Sequence, residues 1–478
     1  MRPDAGSMAQ AAADVVPALV LAGGAILIVF YALFVRRTLQ VWAAALATVT
    51  LAASGYAVGV FLGDPPGITF FGTFAADGVN LWATAIILVV TVLTVALSVE
   101  WFASDARHGE YYAVLLFSAL GAVLLTGAVD LMELVIAMML ASVTAYTMAG
   151  YHRRSRSSSE AAIKYFLLGG LANGVMVYGV ALLFGLAGST TFAELEVGLA
   201  TADPLPLVVG FGMLAMGVAF KLGALPAHQW MPDVAQGAPA PAAAFLLVAG
   251  KVGALVVLAR LVGVLPETQV GWRPVVALLA AATMTLGNLA ALWQDDVRRL
   301  LGWSSVSQTG YGLLAVVAVG RSDLAIPALL FFLAAYALAN MAAFGVVVEL
   351  RGLTDREAYR GLSGPHPWLI GGLTVSFLSF VGIPPLGGFA AKLLLMGAVI
   401  DAGYTWLAVL TIVNSAISLF YYARVIGPAY FGERAQPRPV MGRWAGAAVM
   451  VAVIGVVAVG VGAQPLAQAW GTLSLLGR

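Results

Sequence analysis

GFGMLAMGVAFKLGALPAHQWMPD, Gly210–Asp233, places one lysine inside an apolar run. No charge occurs over residues 206–220, Lys221 follows, and Pro226 then interrupts the pattern. A lysine at the centre of a membrane helix costs about 2.5–3.5 kcal/mol on insertion scales, so such residues usually face a bundle interior or a water path. Pro226 removes a helical hydrogen bond, and His228, Pro232 and Asp233 follow in one short polar stretch. An interrupted membrane helix beside an ionisable group is the arrangement that transporters use for ion sites. The competing reading is a lysine that snorkels to the interface.

The composition around this stretch is that of a polytopic membrane protein. Of 478 residues, 61% are hydrophobic and 10% charged, with mean hydropathy +0.96, whereas soluble domains carry about 25% charged residues. A net charge of +1 speaks against a nucleic-acid partner. The absence of cysteine excludes disulfides, iron–sulfur ligation and thiol chemistry, and four histidines without metal spacing argue against a metal site. The first apolar stretch lacks a basic leader and a small-residue cleavage motif, so it reads as a retained helix.

Apolar stretches of about 20 residues mark membrane helices. Fourteen spans are expected, near residues 15–34, 41–62, 78–99, 111–129, 130–150, 160–186, 206–226, 238–262, 273–293, 297–319, 324–349, 367–401 (interrupted), 404–428 and 441–463. The pair around Asp130 reads either as one long hairpin or as two helices. Loops after odd-numbered spans hold sixteen basic residues: Arg36, Arg37, Arg107, Arg153, Arg154, Arg156, Lys164, Arg298, Arg299, Arg351, Arg356, Arg360, Arg424, Arg434, Arg438 and Arg443. The opposite side holds three, Arg260, Arg273 and Arg321, with Arg2 and Arg478 at the termini. This asymmetry predicts both termini outside the cytoplasm.

The remaining basic residues, Lys221, Lys251 and Lys392, all fall within spans. Lysine changes protonation when desolvated and arginine effectively does not, which suits a proton relay. A second interruption, FLSFVGIPPLGGFAAKLLLMGAVI, carries Gly382, Pro384, Pro385, Gly387 and Gly388, with Lys392 just beyond. It looks like the Lys221–Pro226 arrangement five spans earlier. Two such segments in corresponding halves point to inverted repeats, and an odd number of helices per unit inverts the second. The expected organisation is three N-terminal helices (1–105), a first repeat of spans 4–8 (106–265), a second of spans 9–13 (266–430), and a final helix with tail (431–478).

Other motifs say less. There is no dinucleotide fingerprint, Walker A loop or nucleophile elbow. SSVSQTGYG, Ser304–Gly312, either packs helices through small residues or lines a wet path, with packing favoured. GSTTFAEL reads as an outside loop. His228 is either a proton carrier, with an ordinary pKa near 6.5, or a structural histidine beside the break. Trp101 and Trp230 read as interfacial anchors. Glu133, Lys164 and Asp233 are candidate accessory groups.

At these residues the chain resembles the N-type antiporter-like subunits of proton-pumping NADH:quinone oxidoreductase (complex I). The matching stretches are SSSEAAIKYFLLGG (157–170), FKLGALPAHQWMPDVAQGAPAPAAAFLLVAGK (220–251), GNLAALWQDDVRRLLGWSSVSQTGY (287–311), AYALANMAAFGVVV (335–348), FVGIPPLGGFAAK (380–392) and NSAISLFYYARVI (414–426). The resemblance implies an all-α polytopic fold of about fourteen helices, with two inverted five-helix repeats that each hold a broken helix. It implies a bacterial inner-membrane location beside other membrane-arm subunits. It assigns Lys221, Lys251 and Lys392 to the family's central lysine chain as switchable site, relay and exit, and His228 to a polar position beside the first break. NADH, FMN, iron–sulfur clusters and quinone would sit on partner subunits, with no cofactor on this chain.

One position departs from the family. Its members usually carry a glutamate in the fifth span, within a stretch like LGLELMSLP, paired to the seventh-span lysine. Here the span reads DLMELVIAMMLASVTAYTMAG from Asp130, and the glutamate position falls on Met139. Glu133 lies six residues earlier, about 9 Å along the axis and some 240° round it, so it does not substitute simply. The alternatives are a subunit of a multisubunit cation/proton antiporter or membrane-bound hydrogenase, whose large subunits look similar, or a non-pumping scaffold paralogue, because the glutamate is replaced by Met139.

Overall fold

The computed structural model describes residues 12–105, 107–433 and 435–476. Arg2, Arg434 and Arg478 of the charge tally lie outside the described residues. The chain opens with α1 (Val16–Phe34) and α2 (Trp42–Phe61), then a small antiparallel hairpin of β1 (Gly67–Thr69) and β2 (Phe74–Ala76). Next come α3 (Gly78–Trp101), α4 (His108–Gly127), α5 (Leu131–Ala149), α6 (Arg156–Ala187) and the short α7 (Phe192–Leu199). The seventh span is α8 (Pro204–Leu222) plus α9 (Trp230–Gly237), and the eighth is α10 (Ala240–Leu246) plus α11 (Ala249–Val264). After α12 (Glu267–Val270) follow α13 (Trp272–Ala291), α14 (Val297–Ala318) and α15 (Ala325–Glu349). The twelfth span is α16 (Pro367–Val381) plus α17 (Gly387–Asp401); α18 (Thr405–Phe431), α19 (Arg443–Val461) and α20 (Ala463–Gly471) complete the chain.

Twelve segments among the described residues are long and apolar enough to cross a membrane. Two expected spans are missing from those twelve, each for a physical reason. The α16–α17 pair is divided into two fifteen-residue pieces. Helix α14 carries Arg298, Arg299 and the SSVSQTGYG run, yet only Arg299 and Trp303 escape full burial. Its polar atoms face protein instead of lipid, the one setting in which they are tolerated at this depth. With α10, α11 and α15, it forms the centre of the bundle. The outer helices α1, α2, α6, α18 and α19 expose Leu, Ile, Val and Phe, as lipid-facing surfaces do.

Helix starts follow local chemistry. Asp77 accepts from Asn80 N of α3 (2.8 Å), Asp130 from Met132 N of α5 (2.7 Å), and Asp296 from Arg299 N of α14 (2.9 Å), each satisfying amides that the helix leaves free. The Asp130 cap, with its bridge to Thr191, resolves the uncertain hairpin into two helices. At the start of α19 the Glu100 carboxylate receives Trp444 N (3.0 Å) and Ala445 N (3.2 Å).

The charged loops separate to two ends. At one, Asp233 joins Lys164 (3.0 Å) to Arg299 (2.5 Å), and Asp295 joins Arg356 (3.1 Å) to Arg424 (3.0 Å), tying together loops and helix ends from five odd-numbered spans. At the other, Glu267 holds Arg273 (2.8 Å) and Arg321 (2.5 Å), and Asp77 grips Arg260 through two 2.7 Å bonds. All three basic residues of the sparse side thus meet a carboxylate, two of them sharing Glu267.

Candidate functional site

The first break is closed by its own backbone and by side chains that reach in from other helices. Helix α8 ends at Gly223, whose left-handed φ of 68° suits glycine, with Ala224 N bonded back to Ala219 O (2.8 Å). Two carbonyls lose their helical donors here. Trp230 Nε1 donates to Phe220 O (2.8 Å), and Thr309 Oγ1 donates to Leu222 O (2.7 Å). Trp230 is therefore fully buried against Tyr165, with ring centroids 4.2 Å apart, instead of anchoring the chain at the interface. Sequence alone reads it the other way, because a Trp near a break and a Trp near a headgroup look identical in one dimension.

Lys221 sits in the last turn of α8 and is buried. Its Nζ meets Ser142 Oγ of α5 at 3.4 Å. A Cβ at Gly250 would come within 2.8 Å of Lys221 Cε, so the lysine lies over bare backbone next to Lys251. Lys251 donates to Ser305 O (2.7 Å) and Ser305 Oγ (2.8 Å), and its ammonium stands 4.5 Å from the Tyr336 ring centroid. Tyr336 OH lies 2.6 Å from Ser305 Oγ. Between Tyr336 and Lys392 is a cavity of about 10 Å³, bordered by Gln308 and Phe380, close to the size one water requires. Lys392 donates to Val381 O (3.0 Å) and Ser415 Oγ (2.8 Å), and it stands 4.2 Å from the Tyr311 ring centroid.

All three lysines are thus held by hydroxyls, carbonyls and aromatic faces, and none has a carboxylate within ion-pair distance among the described residues. A hydroxyl both donates and accepts, so the Ser305–Tyr336 pair can pass a proton that an ion pair would trap. Sequence reasoning missed these partners: Ser142, Ser305, Tyr311, Tyr336 and Ser415. Ser305 and Tyr311 lie in the SSVSQTGYG run, and Tyr336 and Ser415 in stretches that resemble the family, yet nothing in the sequence marked any of them as a lysine's partner. The run packs helices, the favoured reading of it, and it also turns polar side chains toward the lysines. A Cβ at Gly310 would meet Met284 N at 2.4 Å, a close helix crossing, while Ser305 and Gln308 face the lysines.

The second break is only partly like the first. Helix α16 ends on left-handed Gly382 (φ 92°), with Ile383 N returning to Leu378 O (3.0 Å), the same closure as at Gly223. The lysines, however, lie on opposite sides of the breaks. Lys221 precedes its glycine, whereas Lys392 lies ten residues after Gly382, a count that in the first break ends on Asp233. The two breaks close alike, while their lysines occupy different positions relative to the left-handed glycine.

The remaining candidates stand apart from the chain of lysines. Asp233 and Lys164 belong to the ion network at the basic end. Glu133 is in the first turn of α5, beside the Asp130 cap. His228 is half-buried, 5.5 Å from the Trp303 ring, and hydrogen-bonds to none of the lysines. Met139 is 47% exposed on the outer face of α5, one turn before Ser142.

Interrupted helices around a buried chain of lysines define the class of antiporter-like membrane subunits. Residues 128–418 match the family described as NADH:quinone oxidoreductase/Mrp antiporter, TM, and the chain belongs to that family. It is 42% identical over 398 residues to NADH-quinone oxidoreductase subunit N of Mycobacterium sp. (strain JLS), covering 83% of this chain and 84% of that one. It is 41% identical over 440 residues to subunit N 1 of Streptomyces griseus subsp. griseus, covering 91% and 92%. Among solved structures, a chain of respiratory complex I from Thermus thermophilus matches with TM-score 0.82 and 30% identity, covering 95% of this chain and 98% of that one. A chain of the Mrp complex from Dietzia sp. shares the fold, with TM-score 0.85 at 21% identity, covering 97% and 96%.

Proposed function

We propose that this chain is a membrane-arm subunit of a complex I-type NADH:quinone oxidoreductase in the bacterial cell membrane, and that it contributes to redox-driven proton translocation. As part of that translocase it performs no redox chemistry. NADH, FMN, iron–sulfur clusters and quinone belong to partner subunits. The observation that carries this reading is the succession of buried lysines held by proton-exchanging groups across both breaks. Lys221 is the switchable site, Lys251 the relay and Lys392 the exit. The matching closures at Gly223 and Gly382 support two inverted repeats, over residues 106–265 and 266–430.

The first half of the path is altered. Ser142 supplies Lys221 with a neutral partner, and the outer face of α5 presents Met139, which carries no charge. A subunit that keeps its relay lysines with weakened coupling fits this arrangement better than a pure scaffold does. Met139→Glu in the assembled complex tests it. The variant is expected to change the proton yield per electron pair; unchanged yield and rate, together with lost pumping in Lys221→Met, would assign the switch to another residue.

Both termini are expected outside the cytoplasm, because the basic end of the bundle carries most of the charge. Reporter fusions in the 152–158 loop should report a cytoplasmic position. A reporter active on the outside would overturn the orientation and the repeat assignment with it.

A further inference from the structure

At the basic end, the loops preceding α2, α4 and α6 surround a cleft of about 880 Å³. This is within the roughly 300–1,000 Å³ typical of small-molecule sites. Arg37, Arg107, Arg153 and Arg154 line it, and Arg156 lines the adjoining hollow beside Ile163. None of the five has an acidic partner within ion-pair distance among the described residues. Elsewhere at the same end Arg299, Arg356, Arg360 and Arg424 are paired, while Arg36, Arg351, Arg438 and Arg443 are not, among the described residues; what marks these five is that they gather around one cleft and its adjoining hollow. Asp105 and Glu110 also line the cleft, leaving four guanidinium groups against two carboxylates. The frame is not loose: Tyr151 OH donates to Arg107 O (2.5 Å), and His152 stacks on Trp101 with 6° between the rings.

An apolar surface leads away from the cleft toward the membrane interior. On α5, Met132, Ile136, Met139 and Val143 are all exposed, at a spacing of three and four residues that places them on one face. The next residue on that face, Thr147, lines the cleft. On α6, Ile163, Phe166 and Leu167 are exposed just below Arg156. Arginines without carboxylate partners at the end of the bundle, above an apolar stripe that this chain leaves exposed, complement an amphiphile with an anionic head. Arginine is suited to that head, because its fork of donors grips phosphate oxygens in pairs.

We propose that this cleft binds an anionic phospholipid, its phosphate held among Arg37, Arg107, Arg153 and Arg154 and its acyl chains lying along α5. The arginine cleft lies away from the three lysines, while the apolar stripe includes Met139, and the binding does not depend on whether this chain moves protons. The lipid would keep the α5–α6 loop joined to the loops before α2 and α4, all of which contribute arginine to one headgroup.

The test is native mass spectrometry of the full chain with its co-purifying subunits, titrated with phosphatidylglycerol and, separately, with phosphatidylcholine. The unmodified protein should retain phosphatidylglycerol in preference to phosphatidylcholine. In the double variant Arg153→Gln and Arg154→Gln, retention should fall roughly thirtyfold, from two basic charges removed near a membrane surface. The corresponding Arg→Lys double variant should bind between the two, since the charge remains and the paired donors are lost. Arg37→Gln, on a separate loop, provides a second reading if the double variant does not fold. Equal retention of both lipids, or no change in either Gln variant, would overturn the proposal. So would a photo-crosslinker at Ser104 that captures a protein neighbour and no lipid, because the cleft would then be a subunit contact.

Discussion

Lys251→Met is expected to slow proton transfer through this subunit by roughly 10²-fold or more, the low end of what a positioned acid–base group contributes. Lys251 occupies the middle of the path, and its Nζ is the only cation that reaches both Ser305 and Tyr336 among the described residues. Folding should survive the change. Methionine is apolar and flexible enough to fill the space, and Ser305 and Tyr336 retain each other at 2.6 Å. Lys251→Arg separates two explanations. Arginine keeps the charge but does not release its proton, so a relay fails and a purely electrostatic post survives. The measurement is proton yield per electron pair in sealed vesicles, with assembly checked by native electrophoresis. Normal yield in an assembled Lys251→Met complex would refute the relay and favour the scaffold alternative.

The second large effect concerns stability, at the opposite end of the bundle. Arg260 and Asp77 are both about 1% exposed and form a two-bond pair. Arg260 also donates to Thr126 O (2.9 Å) and Leu476 O (3.0 Å), while Asp77 caps α3 and accepts from Leu476 N (3.1 Å). The pair therefore fastens α3, α4, α11 and the C-terminal tail at one point. Removing one partner strands a buried charge, at a cost of about 3–5 kcal/mol. Asp77→Ala and Arg260→Ala should each lower the melting temperature of the detergent-solubilised protein sharply. The double variant, which leaves no lone charge, should lose less than the sum of the two. Additive losses would mean that the two residues act independently, contrary to the geometry.

These two experiments probe different kinds of information in the chain. Helix number and order were legible one residue at a time, because a lipid environment demands about 20 apolar residues per crossing and loads basic residues onto one side. The three intramembrane lysines stood out for the same reason: a cation in an apolar run is costly enough to be conspicuous. Both breaks were visible as Gly and Pro clusters. The membrane thus made the general plan a matter of composition along a line.

What holds each lysine was decided only in three dimensions. Ser142, Ser305, Tyr336 and Ser415 are ordinary small or aromatic residues in their own spans, and they become partners because helices far apart in sequence cross there. Lys251 and Tyr336 are separated by 85 positions, and Arg260 and Asp77 by 183. Sequence reading likened the two breaks, and the fold adds that each closes on a left-handed glycine, Gly223 and Gly382. It placed Trp230 at the interface, where the fold buries it with its Nε1 donating to Phe220 O at the break. Hydropathy records what a residue costs in lipid. Whether a neighbouring helix removes that cost, by supplying a hydroxyl, a carbonyl or a countercharge, is a property of the packed bundle alone.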